Sequence, residues 1–196
     1  MQFHAVDMSE TDFTRLNGQF LIALPDMRDP RFEKAVIYVC SHDTSGAMGL
    51  IINKSKGPLV LSDMLDQIGI EGPVSVADQP VLDGGPVDID RGFVLHTADY
   101  FKPDTSLRLS ETLALSSTKD VLEALISDEA PDQAVLAVGY SGWGPGQLEG
   151  EIQQNAWMIV PASEKMIFDT DLESKWSRAL GQLGITPEML STGGNA

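Results

Sequence analysis

Residues 139–157, GYSGWGPGQLEGEIQQNAW, hold the most unusual combination of side chains in the sequence. A glycine-rich turn, GWGPG at 142–146, leads into a polar segment predicted to be a helix over 145–155, with Pro145 at its first position, and then into an apolar strand. Free backbone N–H groups ahead of a helix can hold an anion. The turn has neither the lysine of a Walker motif nor the G-x-G-x-x-G spacing, which weakens the case for a phosphate site.

Three polar side chains of the predicted helix, Gln147, Glu151 and Asn155, are spaced i, i+4 and i+8 and are expected on one face. Such a stripe beside an exposed tryptophan favours a groove for a peptide or small molecule. The alternative is a solvated helix face beside glycines that permit close packing, and the sequence leaves both open. The candidate ligand- or partner-binding residues are Gly142, Trp143, Gly144, Gln147, Glu151 and Asn155.

Cys40 and His42 lie two residues apart on a predicted strand, so their side chains are expected on one face, together with Tyr38. An imidazole that lowers the thiol pKa would make Cys40 a nucleophile for a hydrolase or transferase. The alternative is a small buried hydrophobe beside a strand-end histidine, since free cysteines are among the most buried residues. No G-x-S-x-G motif supports hydrolase chemistry, and no catalytic residue is assigned.

The sequence predicts no metal and no cofactor. Its three histidines, His4, His42 and His96, lack the spacings of known metal motifs, and there is no C-x-x-C pair. Two acidic turns, DGGP at 83–86 and DIDRG at 88–92, lack the ligand density of a calcium loop. Their glycines are expected to supply positive φ in tight turns, and Arg91 to pair with Asp90.

The net charge of the chain restricts the classes of partner that it can bind. The chain of 196 residues carries 29 acidic and 13 basic residues, for a net charge of -16. Phosphate backbones are bound through lysine and arginine, so this balance argues against direct nucleic-acid binding. The only locally basic region is residues 28–56, which is either a solvated surface or a small face for a protein or anionic ligand.

The expected compartment is the cytoplasm. A single cysteine, Cys40, allows no internal disulfide and fits a reducing environment. The first residues, MQFHAVDMSETDF, have neither the basic nor the apolar region of a signal peptide. No apolar run approaches the roughly 20 residues of a membrane-spanning helix, so no membrane partner is predicted.

The predicted element order is β-β-β-α-β-β-α-β-α-β-α, which indicates an α+β fold: a single compact domain with a mixed β-sheet and about four helices. Residues 1–15 are predicted to be a flexible arm and residues 16–196 the domain. Ser62 is expected to cap one helix, and Ser117 to open another in a capping box with Asp120. Residues 80–82 are expected to form an edge strand, and 166–168 an extended segment.

Three blocks of the sequence resemble one family. They are LNGQFLIALPDMRDPRFEKAVIYVCSHDTSGAMGLIIN at 16–53, LDGGPVDIDRGFVLHT at 82–97 and VGYSGWGPGQLEGEIQQNAW at 138–157. In this order they are similar to the YqgE/AlgH family of small bacterial cytoplasmic proteins. The sequence departs from that family at Lys54-Ser55, where Arg-Pro is common, and at Ser41, where glutamate is common.

The resemblance implies a compact α/β-type domain without a known cofactor and with an unsettled function. Part of the family carries a label as a transcriptional regulator of exopolysaccharide (alginate) synthesis. We therefore expect a non-enzymatic binding or regulatory module with a groove near the GWGPG loop and a protein or small-molecule partner. The alternative is a Cys/His-dependent hydrolase or transferase; direct DNA binding is disfavoured by the charge.

Overall fold

The computed structural model describes residues 16–76 and 78–191, so the arm predicted over residues 1–15 lies outside the described part of the chain. Within it the chain forms ten strands, six α-helices and one 3-10 turn over Pro30–Phe32. The strands are β1 (Gln19–Ala23), β2 (Val36–Asp43), β3 (Gly46–Ile51), β4 (Ser55–Val60), β5 (Pro80–Asp83), β6 (Val87–Thr97), β7 (Ser106–Arg108), β8 (Leu113–Ser116), β9 (Ala134–Trp143) and β10 (Trp157–Pro161). The helices are α1 (Leu61–Gln67), α2 (Lys119–Ala124), α3 (Gln147–Gln153), α4 (Glu164–Phe168), α5 (Lys175–Gly181) and α6 (Pro187–Ser191).

The strands form one sheet in the order β10-β1-β2-β3-β9-β6-β8-β7, with β4 and β5 joined to it beside β9. Neighbouring strands run antiparallel except for β5 and β9, which are parallel, so the sheet is mixed as predicted. The long strand β9 organises the sheet. It pairs with β6 along one edge, and with β3 and β5 along the other.

Side chains that alternate along the strands divide the core into three clusters. The largest contains Phe20, Tyr38 and Ala137 and is covered by α4 and α5. On the opposite face of the sheet lie two smaller clusters. One contains Leu136 and packs under α1 and α2; the other contains Ile37 and packs under α3. The curled sheet therefore encloses the first cluster, and this arrangement is an α+β fold in one compact domain.

The helix count differs from the prediction of about four. The segment predicted to be extended over residues 166–168 is part of α4, because Ser163 caps that helix by accepting a hydrogen bond from the Met166 N–H. Strand β4, which has no counterpart in the predicted order, contains Gly57 and Pro58, residues that normally disfavour a strand. Among the described strands it pairs only with β5, so Pro58 removes no donor that a second strand in this part of the chain needs. For the same reason residues 80–82 are not an edge: β5 lies between β4 and β9.

Both predicted helix caps are wrong. Ser62 lies inside α1 and donates a hydrogen bond to Asp78 Oδ1 at 2.7 Å, while the first helical N–H, that of Leu61, bonds to the Gln79 carbonyl. Ser117 precedes α2 and accepts a hydrogen bond from Arg91 at 2.8 Å. Tertiary contacts therefore replace the local capping that the sequence suggested.

Across residues 16–76 and 78–191, no helix is long and apolar enough to cross a bilayer.

Candidate functional site

The GWGPG loop joins the end of β9 to α3. Gly142 and Trp143 belong to β9 and pair with Met48 and Ala47 of β3. Helix α3 begins only at Gln147, so Pro145 does not occupy a first helical position. Among the loop glycines only Gly146, the residue before the helix, has a positive φ, of 72°. The loop is therefore held by pairing to β3, and left-handed backbone is needed at one position.

Glu151 is the hydrogen-bond centre of this region. Its Oε2 atom accepts the indole N–H of Trp143 at 2.9 Å and that of Trp157 at 2.7 Å. The two rings meet edge to face with centroids 6.1 Å apart. Trp143 and Trp157 are 7% and 3% exposed, so the expectation of an exposed tryptophan is wrong. One carboxylate therefore fixes α3 to the ends of β9 and β10.

The predicted polar stripe is only partly formed. Gln147 donates to Glu151 Oε1 at 3.0 Å and accepts the Gly144 N–H at 3.0 Å, which closes the loop onto the helix. Asn155 lies beyond the end of α3 with a φ of 58°, so it does not continue the face of Gln147 and Glu151. Asparagine tolerates this left-handed conformation, which is typical of a residue that ends a helix.

Cys40 and His42 lie against different cores. The register between β2 and β3 shifts between Val39 and Ser41, and this β-bulge breaks the alternation on which the predicted shared face depended. Cys40 packs in the cluster of Tyr38, where its thiol donates weakly to the Tyr38 carbonyl. Burial raises the pKa of Cys40 to about 12, the opposite of what a thiolate nucleophile needs.

His42 belongs to the α3 side of the sheet. Its Nε2 lies 2.9 Å from Glu149 Oε1, and the histidine side chain is 2% exposed. Its Nδ1 is buried without a hydrogen-bond partner in the described part of the chain. The contact with Glu149 therefore joins β2 to α3, and the dyad with Cys40 is not formed.

A cleft of about 620 Å³ opens beside the GWGPG loop, between the ends of β2, β3 and β9 and the start of β6. Of the predicted binding residues, Gly142 and Trp143 line this cleft. Its other lining residues come from three separate segments: Ser41, Asp43, Ser45, Gly46, Ala47 and Met48; Val87, Asp88, Arg91 and Phe93; and Tyr140. We call this the bulge cleft.

The wall of the bulge cleft is an irregular stretch of β6. Val87 pairs with Tyr140 and Gly92 with Val138, so four residues, 88–91, lie opposite the single residue Gly139. Gly139 has a φ of 74°, and a Cβ there would meet the Gly85 carbonyl oxygen at 2.4 Å. Asp88 within the bulge has a φ of 46°, an uncommon conformation for a residue with a side chain. Such strained positions cluster at functional sites.

The chemistry of the bulge cleft is polar with an aromatic floor. Phe93 and Tyr140 meet edge to face with centroids 5.6 Å apart. Arg91 lies 5.2 Å over the Phe93 ring and donates to Ser117, so the predicted pair with Asp90 is wrong. Among described residues, the hydroxyls of Ser41 and Tyr140 have no hydrogen-bond partner and can accept or donate one to a ligand.

No group of three histidine, cysteine or acidic side chains is placed to hold a metal ion within residues 16–76 and 78–191. His4 lies outside those residues. His96 is buried between the Ser116 hydroxyl and the Thr97 carbonyl, both 2.9 Å from its ring nitrogens. Burial lowers the pKa of His96, so the ring is held neutral inside the fold.

Comparison with known proteins places this geometry in a family. The AlgH-like family model matches residues 20–188, which is most of the chain. A UPF0301 protein of Caulobacter vibrioides is 44% identical over 193 residues, covering 97% of this chain and 98% of its own length. The chain belongs to the AlgH-like family. The resemblance of the three sequence blocks is therefore confirmed.

Further relatives agree with that assignment. A UPF0301 protein of Rhodospirillum rubrum is 45% identical over 176 residues, covering 90% of this chain and 91% of its own. The solution structure of the AlgH protein from Pseudomonas aeruginosa matches with a TM-score of 0.75 and 37% identity, covering 97% of this chain and 98% of that one. A Corynebacterium diphtheriae protein of known crystal structure, 21% identical, shares the fold with a TM-score of 0.70 over 88% of each chain.

The site residues that sequence reasoning missed are those of the bulge. The sequence predicts only an acidic turn over residues 88–92, because no local residue pattern marks a four-residue bulge. The sequence does carry one signal, since Gly84 and Gly85 lie where added Cβ atoms would meet Gly139 and Tyr140 backbone at 2.3 and 2.2 Å. Close backbone approach of this kind places glycines beside a bulge.

Proposed function

We propose that this AlgH-like protein is a non-enzymatic binding or regulatory module that acts in the cytoplasm, and that the bulge cleft receives a segment of a partner protein. The observation that carries the proposal is the composition of the cleft. Tyr140, Met48 and Arg91 are residue types enriched in protein interfaces, and they meet there beside the strained Asp88.

The charge of the cleft supports a protein partner over nucleic acid. Arg91 is the one cation among the described residues that line it, beside the carboxylates of Asp43 and Asp88. A phosphate backbone would meet this acidic rim and a chain of net charge -16. A protein segment with charges of both signs can pair with such a rim.

The state of Cys40 supports a binding role over thiol chemistry. Its pKa is raised to about 12, so the thiolate is almost absent at neutral pH. Its nearest polar contact is a carbonyl, and His42 bonds to Glu149 on the other side of the sheet. The single cysteine also fits the reducing cytoplasm that we propose for this module.

Site-specific photo-cross-linking tests the proposal. A photoreactive amino acid is placed at Ile89, which lies in the bulge and is 54% exposed, and the protein is expressed in cells of a bacterium that carries this family. The matched control is Leu107 on β7, which is also 54% exposed but lies two strands from β6, level with Leu95 and not with the bulge. We expect a discrete cross-linked product from position 89 and none from position 107.

A second variant ties that product to the cleft. Tyr140→Ala removes the aromatic floor and should abolish the product at position 89, provided that circular dichroism shows a folded chain. Equal products from positions 89 and 107, or a product that survives Tyr140→Ala unchanged, contradict the proposal. Absence of any product from position 89 in growing and in stationary cells contradicts it as well.

A further inference from the structure

A second concavity of different chemistry lies near the start of β2, whereas the bulge cleft lies near the end of that strand. It has a volume of about 370 Å³ and lies between the segment that follows β1 and the helix α5. Its apolar lining consists of Ala23, Leu24, Pro25, Met27, Pro30 and Trp176. We call it the Trp176 pocket. A pocket of a few hundred cubic ångströms with mostly apolar walls and few polar groups has the general character of a small-molecule site.

The aromatic wall of this pocket is held in place. The indole N–H of Trp176 donates to the Ala23 carbonyl at 2.9 Å, which fixes the ring against the end of β1. The Lys34 ammonium lies 5.5 Å over the ring. Lys34 has a φ of 53°, a backbone conformation that lysine rarely adopts.

Two cations at the rim have no acidic partner among the described residues. Neither Arg28 nor Lys34 forms an ion pair there, and both line the pocket. Its one acidic lining residue, Glu33, interacts electrostatically with Lys54. Arg31, in the same segment, is already paired with Asp29 at 2.7 Å. The two cations and the one carboxylate among the described lining residues thus leave a net positive charge at the mouth of an apolar pocket, in a chain whose net charge is -16.

We propose that the Trp176 pocket binds a small organic anion with an apolar or aromatic body. The body contacts Trp176, Leu24 and the two prolines, and the anionic group meets Arg28 and Lys34 at the rim. An arginine can bind a carboxylate through two parallel hydrogen bonds, and a lysine ammonium adds a point charge beside it. The site is separate from the bulge cleft and does not depend on the function proposed for that cleft.

Two probes that share one ring system test the proposal: 1-naphthoate and 1-naphthylmethylammonium. The chain has three tryptophans, and Trp143 and Trp157 are buried with their indole N–H groups bonded to Glu151. A ¹H–¹⁵N spectrum therefore gives three indole cross-peaks, of which Trp176→Phe identifies one. We expect naphthoate to shift the Trp176 peak saturably, and the ammonium probe to bind at least tenfold more weakly.

Variants that remove the positive charges at the rim test where the anionic group of the ligand binds. The double variant Arg28→Gln, Lys34→Asn removes both cations, and asparagine tolerates the left-handed backbone at position 34. We expect it to weaken naphthoate binding at least tenfold, while Arg31→Gln, the matched control in the same segment, changes it less than twofold. Equal binding of the two probes, equal effects of the two charge variants, or no Trp176 shift at millimolar naphthoate would overturn the proposal. A shift confined to the Trp143 peak would do so too, and would instead place the anion in the bulge cleft.

Discussion

Trp143 and Trp157 meet edge to face, 6.1 Å apart, and donate their indole N–H groups to the same oxygen atom of Glu151. The three side chains come from β9, β10 and α3, so one carboxylate joins a helix to two strands that are not neighbours in the sheet. This contact holds the end of β9, and Gly142 and Trp143 at that end line the bulge cleft. The network is therefore a scaffold for the proposed site.

We expect Glu151→Ala to be among the most destabilising changes in α3. It would leave two buried indole N–H groups without an acceptor, and each unsatisfied group costs about 1–3 kcal/mol. Glu151→Gln retains one acceptor oxygen and should lose roughly half as much. Gln147→Ala removes an exposed side chain and should lower the free energy of unfolding by about 1 kcal/mol or less. Urea unfolding measures all three; equal losses from Glu151→Ala and Gln147→Ala would contradict this ranking.

That ranking reverses part of what the sequence predicted. The spacing of Gln147, Glu151 and Asn155 correctly indicated a helix and a shared face for the first two residues. It could not show that two indoles, one eight residues before Glu151 and one six residues after it, converge on one carboxylate, because that depends on how β9 and β10 enter the sheet. Glu151 holds both indoles in place, and the partner-binding role expected for Gln147, Glu151 and Asn155 stays a prediction.

The same limit applies to the cysteine. Runs of β-branched residues predicted β2 and β3 well, since burial on both faces leaves a continuous apolar pattern. The predicted shared face holds for Tyr38 and Cys40 but is wrong for His42, because the bulge between Val39 and Ser41 adds one residue and reverses the alternation of period two beyond it. The sequence does not predict the bulge cleft for a related reason: its walls come from the β2–β3 hairpin, from β6 and from β9, which are distant in sequence and are brought together because β3 and β6 both pair with β9.

Cys40 should react slowly with thiol reagents in the native protein. Its pKa of about 12 leaves a thiolate fraction of roughly one part in ten thousand at pH 8, and the sulfur is buried. We expect labelling by 5,5′-dithiobis-(2-nitrobenzoate) to be limited by opening of the fold, and to be fast in urea. Fast labelling of the folded protein at neutral pH would contradict this and would revive the Cys/His hypothesis.

His96 should make the protein less stable in mildly acidic solution. Burial lowers its pKa below the usual 6.5, and the opposing effects of the Thr97 carbonyl and of Asp99 are smaller. Between the folded pKa and 6.5 the unfolded chain binds more protons, so the free energy of unfolding falls as pH falls through that window. The loss should be absent in His96→Gln. Urea unfolding from pH 5.5 to 7.5 tests this by difference; parallel curves for the two proteins would refute it.

Lys175 should make the stability of the fold depend on pH in mildly alkaline solution. It is fully buried and donates to the carbonyls of Ile52 and Ile167, at 2.9 and 3.2 Å. Desolvation lowers its pKa from 10.5 to about 8, with Asp169 and Asp171 opposing and Arg178 adding to the shift. Because the unfolded chain then binds more protons above pH 8, stability should rise by about 1 kcal/mol between pH 8 and 9.

The control for Lys175 is Lys175→Met, which should remove that rise. Cys40 acts in the other direction, since its raised pKa makes the folded chain bind more protons than the unfolded chain from about pH 8 upward. The comparison is therefore made in a Cys40→Ala background. A rise of equal size in Lys175→Met would show that another group is responsible.

Substitutions at Asp88 should distinguish its effect on the stability of the fold from its effect on the proposed binding by the bulge cleft. Its φ of 46° is an uncommon conformation for aspartate, and glycine adopts it freely, although glycine also gains freedom in the unfolded chain. We therefore expect Asp88→Gly to change the free energy of unfolding by no more than about 0.5 kcal/mol, and Asp88→Val, which is β-branched, to lower it by about 1–2 kcal/mol.

Asp88→Asn removes only the charge, because asparagine tolerates the same backbone conformation. If the Asp88 carboxylate binds the partner, both Asp88→Gly and Asp88→Asn should weaken the cross-link from position 89. Both variants should still unfold at about the same urea concentration as the wild-type protein. If Asp88→Asn instead leaves the cross-link intact and Asp88→Gly abolishes it, the partner depends on the shape of the bulge. A large loss of stability in Asp88→Asn would make Asp88 a structural residue and remove it from the proposed site.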